Sequence, residues 1–422
     1  MKKVYLLLMM VSWSTVMFAQ LDLRSVYVAA GGAFSNPDDY VTIKKINPED
    51  YSAEVFDVIY TQAVTDLLVF EDKMYVAAMD SLVAYDLVLG TRIAAIAIAN
   101  TNKLSMVNNH LWLSRQTGSN GVPADGIYLK VYDPNDLTFI DDIEGIDADA
   151  AFVSSSNDSI YVTVPGDWAA TTGKIAILDM DTYSLQRTLD LGAEAVGIFN
   201  IYHHNNHLWM VCKTPYMGTI GSFVDFDPSI GNYFIFTQEA AFGFGVGMDV
   251  ENDRSFLLYN NQIAYYTFSD QTFTAVAPDP GSASWISYAS GAFEKVSNTI
   301  WANYTDFYSS GTCMVYDLSG NELAAMEVGI SPEAMGFHYQ DATGVNSTQQ
   351  VASVHVFPNP VVDRLTISGT DITNGLLLNS NGKVISRFNG NQTIDMSNVP
   401  EGLYLLRFVV NGEIITKKII KQ

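Results

Sequence analysis

The chain has 422 residues, with 22 Lys and Arg against 46 Asp and Glu, a formal charge of −24, and 48% apolar residues. A body this acidic repels nucleic acid and anionic lipid, which excludes both as partners. The length allows a large core plus a second, smaller domain, and two cysteines, Cys212 and Cys313, are too few for a cysteine-rich metal site.

The charge is unevenly spread. Residues 351–422 hold seven basic and five acidic side chains and the first residues hold Lys2 and Lys3, so the total of −24 leaves −28 on residues 20–350. Solubility outside the cell is the first reading of that excess, and a cation- or Ca²⁺-dependent surface is the second. Cys212 and Cys313 both sit in or beside strand-like runs. Buried free thiols are the first expectation for them, and a disulfide the second.

Residues 1–19, MKKVYLLLMMVSWSTVMFA, read as an export signal: Lys2 and Lys3 lead, Val4 to Phe18 form the apolar run, and cleavage after Ala19 leaves Gln20 first. No cysteine follows that run, which argues against a lipid anchor. No later stretch approaches the roughly 18 apolar residues of a membrane span, so no transmembrane anchor is expected.

From Gln20 to Tyr339 short strand-like runs dominate, which predicts an all-β fold. A pattern recurs in "SVYVA", "KMYVA", "HLWLS", "SIYVT", "HLWMV", "SFLLY" and "TIWAN", marked by Tyr27, Tyr75, Trp112, Tyr161, Trp209, Leu257 and Trp301. The spacings are 48, 37, 49, 48, 48 and 44 residues. A second apolar strand follows each mark, often ending in Asp, as in "LVAYDL" and "IAILDM". A period in the forties with about four strands per unit predicts a seven-bladed β-propeller. The Leu257 unit departs most, which leaves six or eight blades open. The first unit lacks a leading strand and the last overruns, so residues 333–339 are expected to complete the first blade and close the ring. These "IYV" and "ILD" strands resemble those of YVTN-type propellers of bacterial surface proteins, a resemblance that implies fold and location. Some surface propellers of that general type capture corrinoids, so small-molecule capture is one expectation.

Two kinds of cluster within the repeat invite a metal. His203, His204 and His207 in "IYHHNNHLW" have ligand chemistry, yet "VNNHLW" at 107–112 repeats the Asn-Asn, which favours a tight hairpin turn. The acidic runs 141–150 and 249–253 lack the glycine and glutamate spacing of an EF-hand loop. No metal site and no cofactor is predicted. Ca²⁺ stays open without a complete motif to support it. No local pattern nominates a catalytic residue.

Loop lengths carry the clearest functional signal. Turns between first and second strands, and between third and fourth, are tight. Those between second and third are long in five units: 30–40, 114–126, 164–173, 213–222 and 303–311. Five long loops on one face predict a recognition rim, with Arg115, Trp168, Lys213, Tyr216, Tyr304, Phe307 and Tyr308 as its ligand contacts. A non-catalytic binding or adhesion module for a glycan, a small nutrient or a surface protein is the expected function. The alternative is a secreted hydrolase or lyase with its site at the mouth of the central channel.

After a polar linker at 341–352, "LLLNSNGKVISRF" and "RFVVNGEIITKK" each read as two strands around Asn-Gly, and residues 353–422 are expected to form a small Ig-like β-sandwich. This segment resembles the C-terminal sorting domain of type IX (Por) secretion cargo. The matching features are "VFPNP" with Pro358 and Pro360, "NSNGKVI" with Gly382, "VPEGLYLLRF" with Gly402, Leu403, Tyr404 and Arg407, and "TKKIIKQ" with Lys417, Lys418 and Lys421. The resemblance implies that residues 353–422 engage the type IX machinery and its sortase-like protease. It further implies release outside the cell or display on the outer-membrane surface.

Overall fold

The computed structural model describes residues 20–33, 35–118, 121–342, 355–368, 372–379, 383–388, 390, 392–410 and 413–422. The export signal expected at 1–19, residues 343–352 of the expected linker, and Gly382 lie outside them. The chain divides into two compact units, Met1–Ala342 and Thr343–Gln422.

The first unit contains seven four-stranded antiparallel sheets among its described residues. From inner to outer strand, sheet 1 is Ala334–Ala342, Gln20–Ala30, Val41–Ile46 and Ala53–Ile59. Sheet 2 is Val64–Phe70, Lys73–Ala78, Ser81–Asp86 and Thr91–Ala97, and sheet 3 is Thr101–Val107, His110–Arg115, Leu129–Tyr132 and Phe139–Asp142. Sheet 4 is Val153–Ser156, Ser159–Val164, Lys174–Asp179 and Leu185–Asp190, and sheet 5 is Ile198–His204, His207–Cys212, Gly221–Asp227 and Asn232–Gln238. Sheet 6 is Phe242–Asp249, Arg254–Tyr259, Gln262–Thr267 and Thr272–Ala277, and sheet 7 is Ser287–Glu294, Thr299–Thr305, Gly311–Asp317 and Glu322–Gly329. Each inner strand touches the inner strand of the next sheet, and that of sheet 7 touches that of sheet 1. The result is a closed β-propeller.

Sheet 1 joins the two ends of this unit. Ala29 pairs with Ala334, Val26 with Phe337 and Leu23 with Tyr339.

Strand composition follows position in the ring. A second strand is covered by sheets on both sides, so it is apolar without alternation: Lys73–Ala78 is buried at every position after the first. Outer strands face solvent and are polar, as in Leu185–Asp190. The marked aromatics are the wedges between sheets. Tyr27 packs with Met74, Val83 and Tyr85 of sheet 2, Trp112 with Val153, Ile160 and Leu178 of sheet 4, and Trp301 with Val26, Val28 and Ile46 of sheet 1.

The sixth unit corrects the repeat alignment. Leu257 lies with Trp209 against sheet 5. Phe256 takes the marked place, packing with Ile300 and Ala302 and stacked on Phe293 at 4.5 Å. A one-residue slip moves every side chain to the opposite face. Phe256, Leu257 and Leu258 are all large and apolar, so the sequence does not mark which of them takes that place.

Two-residue turns recur at Asn108–Asn109, Asn205–Asn206 and Asn260–Asn261, with φ between 47° and 64° at all six. That left-handed pair matches the strand twist and suits asparagine. Cys212 and Cys313 are buried free thiols in separate sheets, and burial pushes the Cys212 thiol up to about 12.

The second unit has two sheets. One comprises His355–Phe357, Arg364–Ser368 and Gln392–Asp395, and the other Val384–Phe388, Ile372–Asn379, Gly402–Val410 and Glu413–Lys421. Leu365, Ile367, Leu377, Tyr404, Leu406, Phe408 and Ile419 form their shared core.

Closure by the strand after Pro332 yields a stability test. A chain ending at Ala342 is expected to keep the propeller's cooperative unfolding in calorimetry. One ending at Pro332 leaves the inner edge of sheet 1 unpaired and is expected to lose that transition.

Candidate functional site

In a four-stranded antiparallel sheet, the inner strand begins on the face where the loop between second and third strands opens. The starts of the inner strands therefore meet beneath the long loops. There a cavity of about 600 Å³ is lined by six of the sheets and by Phe152, which leads into sheet 4, with Phe199, Phe244, Tyr288 and Phe307 also among its walls. It also holds four charged side chains: Asp66, Lys103, Lys213 and Glu333.

Asp66 and Lys103 belong to neighbouring inner strands. Asp66 Oδ2 accepts the Leu104 N–H at 2.8 Å, and its Oδ1 lies 3.9 Å from Lys103 Nζ. Burial raises the Asp66 carboxyl above its ordinary range, against the opposing pull of Lys103. Lys103 Nζ donates to Thr65 O at 2.6 Å and lies 5.9 Å from the centre of the Phe152 ring.

Lys213 follows the second strand of sheet 5. Its N–H donates to Gly197 O at 2.7 Å, a tight contact that requires glycine. Gly197 has φ +72, and a Cβ there would meet Lys213 O at 2.3 Å. The Lys213 ammonium lies 5.2 Å from the centre of the Phe199 ring, a cation–π contact, and no acid pairs with it among the described residues. Burial, then repulsion from Lys103, lowers its pKa.

Glu333 immediately precedes the ring-closing strand. Ser290 Oγ donates to Pro332 O at 2.7 Å and accepts from Asn303 Nδ2 at 2.9 Å, holding that segment against sheet 7. The Glu333 carboxyl makes no hydrogen bond or ion pair among the described residues. Burial pushes it up to about 7, with Lys103 pulling the other way.

The residues expected at the rim divide into three groups. Lys213 and Phe307 line the cavity, and Tyr304 packs edge-on to Tyr288, which lines it too. Trp168 and Tyr216 are exposed and meet edge to face at 5.9 Å, and Tyr308 is exposed on its own loop. Arg115 departs from expectation. Its guanidinium is buried, donating to Asp125 Oδ1 at 2.6 Å, Ile127 O at 2.8 Å and Ala99 O at 3.0 Å. It holds Asp125 and Ile127 in place and is itself committed to these contacts.

Asp66, Lys103 and Glu333 were not anticipated. Their available signal was a charge inside an apolar inner strand or at its start: "TDLLVF", "NKLSMV", "PEAMGF".

The histidines diverge. His203 pairs with Ser154 Oγ at 2.9 Å, His204 with Asp253 at 2.6 Å and His207 with Asp225 at 2.7 Å. In the acidic runs, Asp142 binds Lys130, Asp149 accepts from Thr117, and Asp249 accepts from Asn252. No group of three or more potential metal ligands occurs among the described residues.

In the second unit, the motif around Pro358 and Pro360 holds the chain's final strand. Asn359 Nδ2 donates to Lys418 O at 2.8 Å, and Asn359 Oδ1 accepts from the Ile420 N–H at 2.9 Å. Val361 and Gln422 extend the grip. Gly402 has φ +147, where other residues are strained. Tyr404 is buried and donates to Pro400 O at 2.8 Å. Leu403, Arg407, Lys418 and Ile420 are exposed, Lys417 is half-buried and Lys421 is buried.

Residues 355–422 match the family described as Secretion system C-terminal sorting domain. They form the chain's sorting domain, and a domain of this kind marks its cargo for export by the type IX machinery to the cell surface or beyond. No helix among the described residues is long and apolar enough to cross a membrane. No curated protein sequence matches the chain.

Solved structures that share the fold include the following two. A hypothetical selenium-binding protein from Sulfolobus tokodaii has 9% identity and a TM-score of 0.57 over 75% of this chain and 92% of its own. A putative 6-phosphogluconolactonase from Bacteroides fragilis has 10% identity and a TM-score of 0.53 over 75% and 98%. At such identity the likeness concerns fold alone.

Glu333 gives a pH-dependent prediction. A carboxyl whose folded pKa is raised holds its proton longer in the folded chain, so its contribution to stability falls as pH rises from about 4.5 to 7. Glu333→Gln is therefore expected to stabilise the propeller by about 1–3 kcal/mol at pH 8. The gain should vanish near pH 4, measured as the difference between variant and parent in urea unfolding.

Proposed function

We propose that this is an exported binding protein whose propeller captures a small molecule at the mouth of its central channel, beneath the long loops. The observation that carries the reading is the cavity itself. It is walled by aromatics and holds one ammonium with no acid partner and one carboxyl with no hydrogen bond or ion pair among the described residues. Such groups are costly to bury alone, and a ligand that satisfies them recovers that cost. Catalysis is the weaker reading. Lys213 and Glu333 have the shifted acid–base character that active sites use, but neither is hydrogen-bonded to a third group that would orient it for proton transfer.

Trp168 and Tyr216 serve as an exposed platform beside the mouth, offering contact area at little entropic cost. A screen of glycans and small metabolites against the full chain, read by thermal shift, tests the reading. Phe199→Ala in the channel is expected to weaken a hit by about 1–3 kcal/mol and Trp168→Ala by less. Asn109→Ala on the opposite face should leave affinity unchanged. Equal losses from both faces would refute the placement.

The sorting domain is proposed to act through its terminal strand, delivering the cargo to the type IX machinery and its sortase-like protease. Deleting residues 418–422 removes the backbone that Asn359 grips, and is expected to trap the chain in the periplasm, as read by cell fractionation. Leu403→Asp, at an exposed position, should reduce export while leaving the purified chain folded.

A further inference from the structure

Of the four charged groups at the channel mouth, Asp66 already accepts a backbone N–H and lies beside Lys103. Among the described residues, the Lys213 ammonium has the Phe199 ring and no acid. Glu333 has no hydrogen bond or ion pair among the described residues, and burial favours its neutral form. With Glu333 protonated, two ammonium groups face at most one carboxylate, so the mouth is net positive. This occurs in a body where acids outnumber bases by 28.

We infer that the site takes a small organic monocarboxylate, its charge seated by Lys213 and Lys103 and its apolar body against Phe152, Phe199 and Phe244. The inference rests on the capture role proposed above and names the chemical class of the captured molecule.

The chemistry favours an anion over a cation. Lys103 and Lys213 repel one another across the cavity. A carboxylate between them removes that repulsion and supplies the acid that Lys213 lacks. An entering amine meets both ammonium groups instead. Protonated Glu333 adds an O–H donor to the carboxylate, and once ionised it repels the same ligand. The titratable groups facing Glu333 across the cavity are Asp66, Lys103, Lys213, Tyr202 and Tyr288. Burial raises both tyrosines, so they stay neutral. Glu333, pushed up to about 7, changes charge between pH 6 and 8.

Isothermal titration of the full chain with 2-naphthoate, 2-naphthamide and 2-naphthylmethylamine tests this. These three probes share one ring system and differ in head-group charge. Naphthoate is expected to bind at least tenfold tighter than the amide, with the amine weakest. Its affinity should fall about tenfold from pH 6 to pH 8, following ionisation near 7. Lys213→Met should abolish the preference for acid over amide, with Lys213→Gln as a second variant should the first fold poorly. Glu333→Gln should keep naphthoate binding and remove its pH dependence.

Equal affinity for the three probes, preference for the amine, or no naphthoate binding at millimolar concentration would overturn the carboxylate assignment. So would an acid preference that survives both Lys213→Met and Lys103→Met. If the screen then yields a neutral or cationic ligand that Phe199→Ala weakens, channel capture stands and only its class is wrong. If no ligand responds to Phe199→Ala, the capture role falls too.

Discussion

Leu23 pairs with Tyr339 and Ala29 with Ala334, so the sheet that begins the chain is completed by the propeller's last strand. Every sheet in the ring has an apolar face toward each neighbour. An open ring would leave two such faces and an unpaired strand edge in water. Closure covers both at once. The other sheet contacts are made between repeats next to each other in sequence. This one joins the two ends of the unit, so the ring forms only when all its sheets are in place.

The same closure builds the candidate site. Glu333 precedes the closing strand, and the Ser290–Pro332 hydrogen bond fixes its segment against sheet 7. Asp66 and Lys103 come from sheets 2 and 3, and Lys213 follows the second strand of sheet 5. The groups are far apart in sequence and share a low-dielectric space only because the inner strands converge. In that space desolvation dominates: it raises Glu333 and Asp66 and lowers Lys213. A surface cluster of the same composition would be screened and nearly silent.

The sorting domain solves a different problem with local means. Its last strand pairs with Gly402–Val410 along its length and is gripped on the other side by Asn359 and Val361. A terminal segment normally frays. Here its backbone is held while Lys418 and Ile420 remain exposed, which presents a defined surface at the end of the chain.

The all-β class, the forty-odd-residue repeat, the turn role of Asn205 and Asn206 and the sorting motif were legible in the sequence. Each depends on local chemistry: short apolar runs between polar turns, left-handed turn residues, and a motif contained within seventy residues. The expected overrun at 333–339 was legible as well, because it copies the strand that leads another unit. The mark at Leu257 was misplaced because Phe256, Leu257 and Leu258 are all large and apolar and leave the register unmarked. Arg115 read as a rim cation because its loop is exposed, and only the folded loop shows its guanidinium turned inward onto Asp125, Ile127 and Ala99. The channel set of Asp66, Lys103, Lys213 and Glu333 was beyond sequence reading as a group. Its members have no common spacing or motif, and what joins them is ring convergence, a non-local consequence of packing seven sheets about one axis.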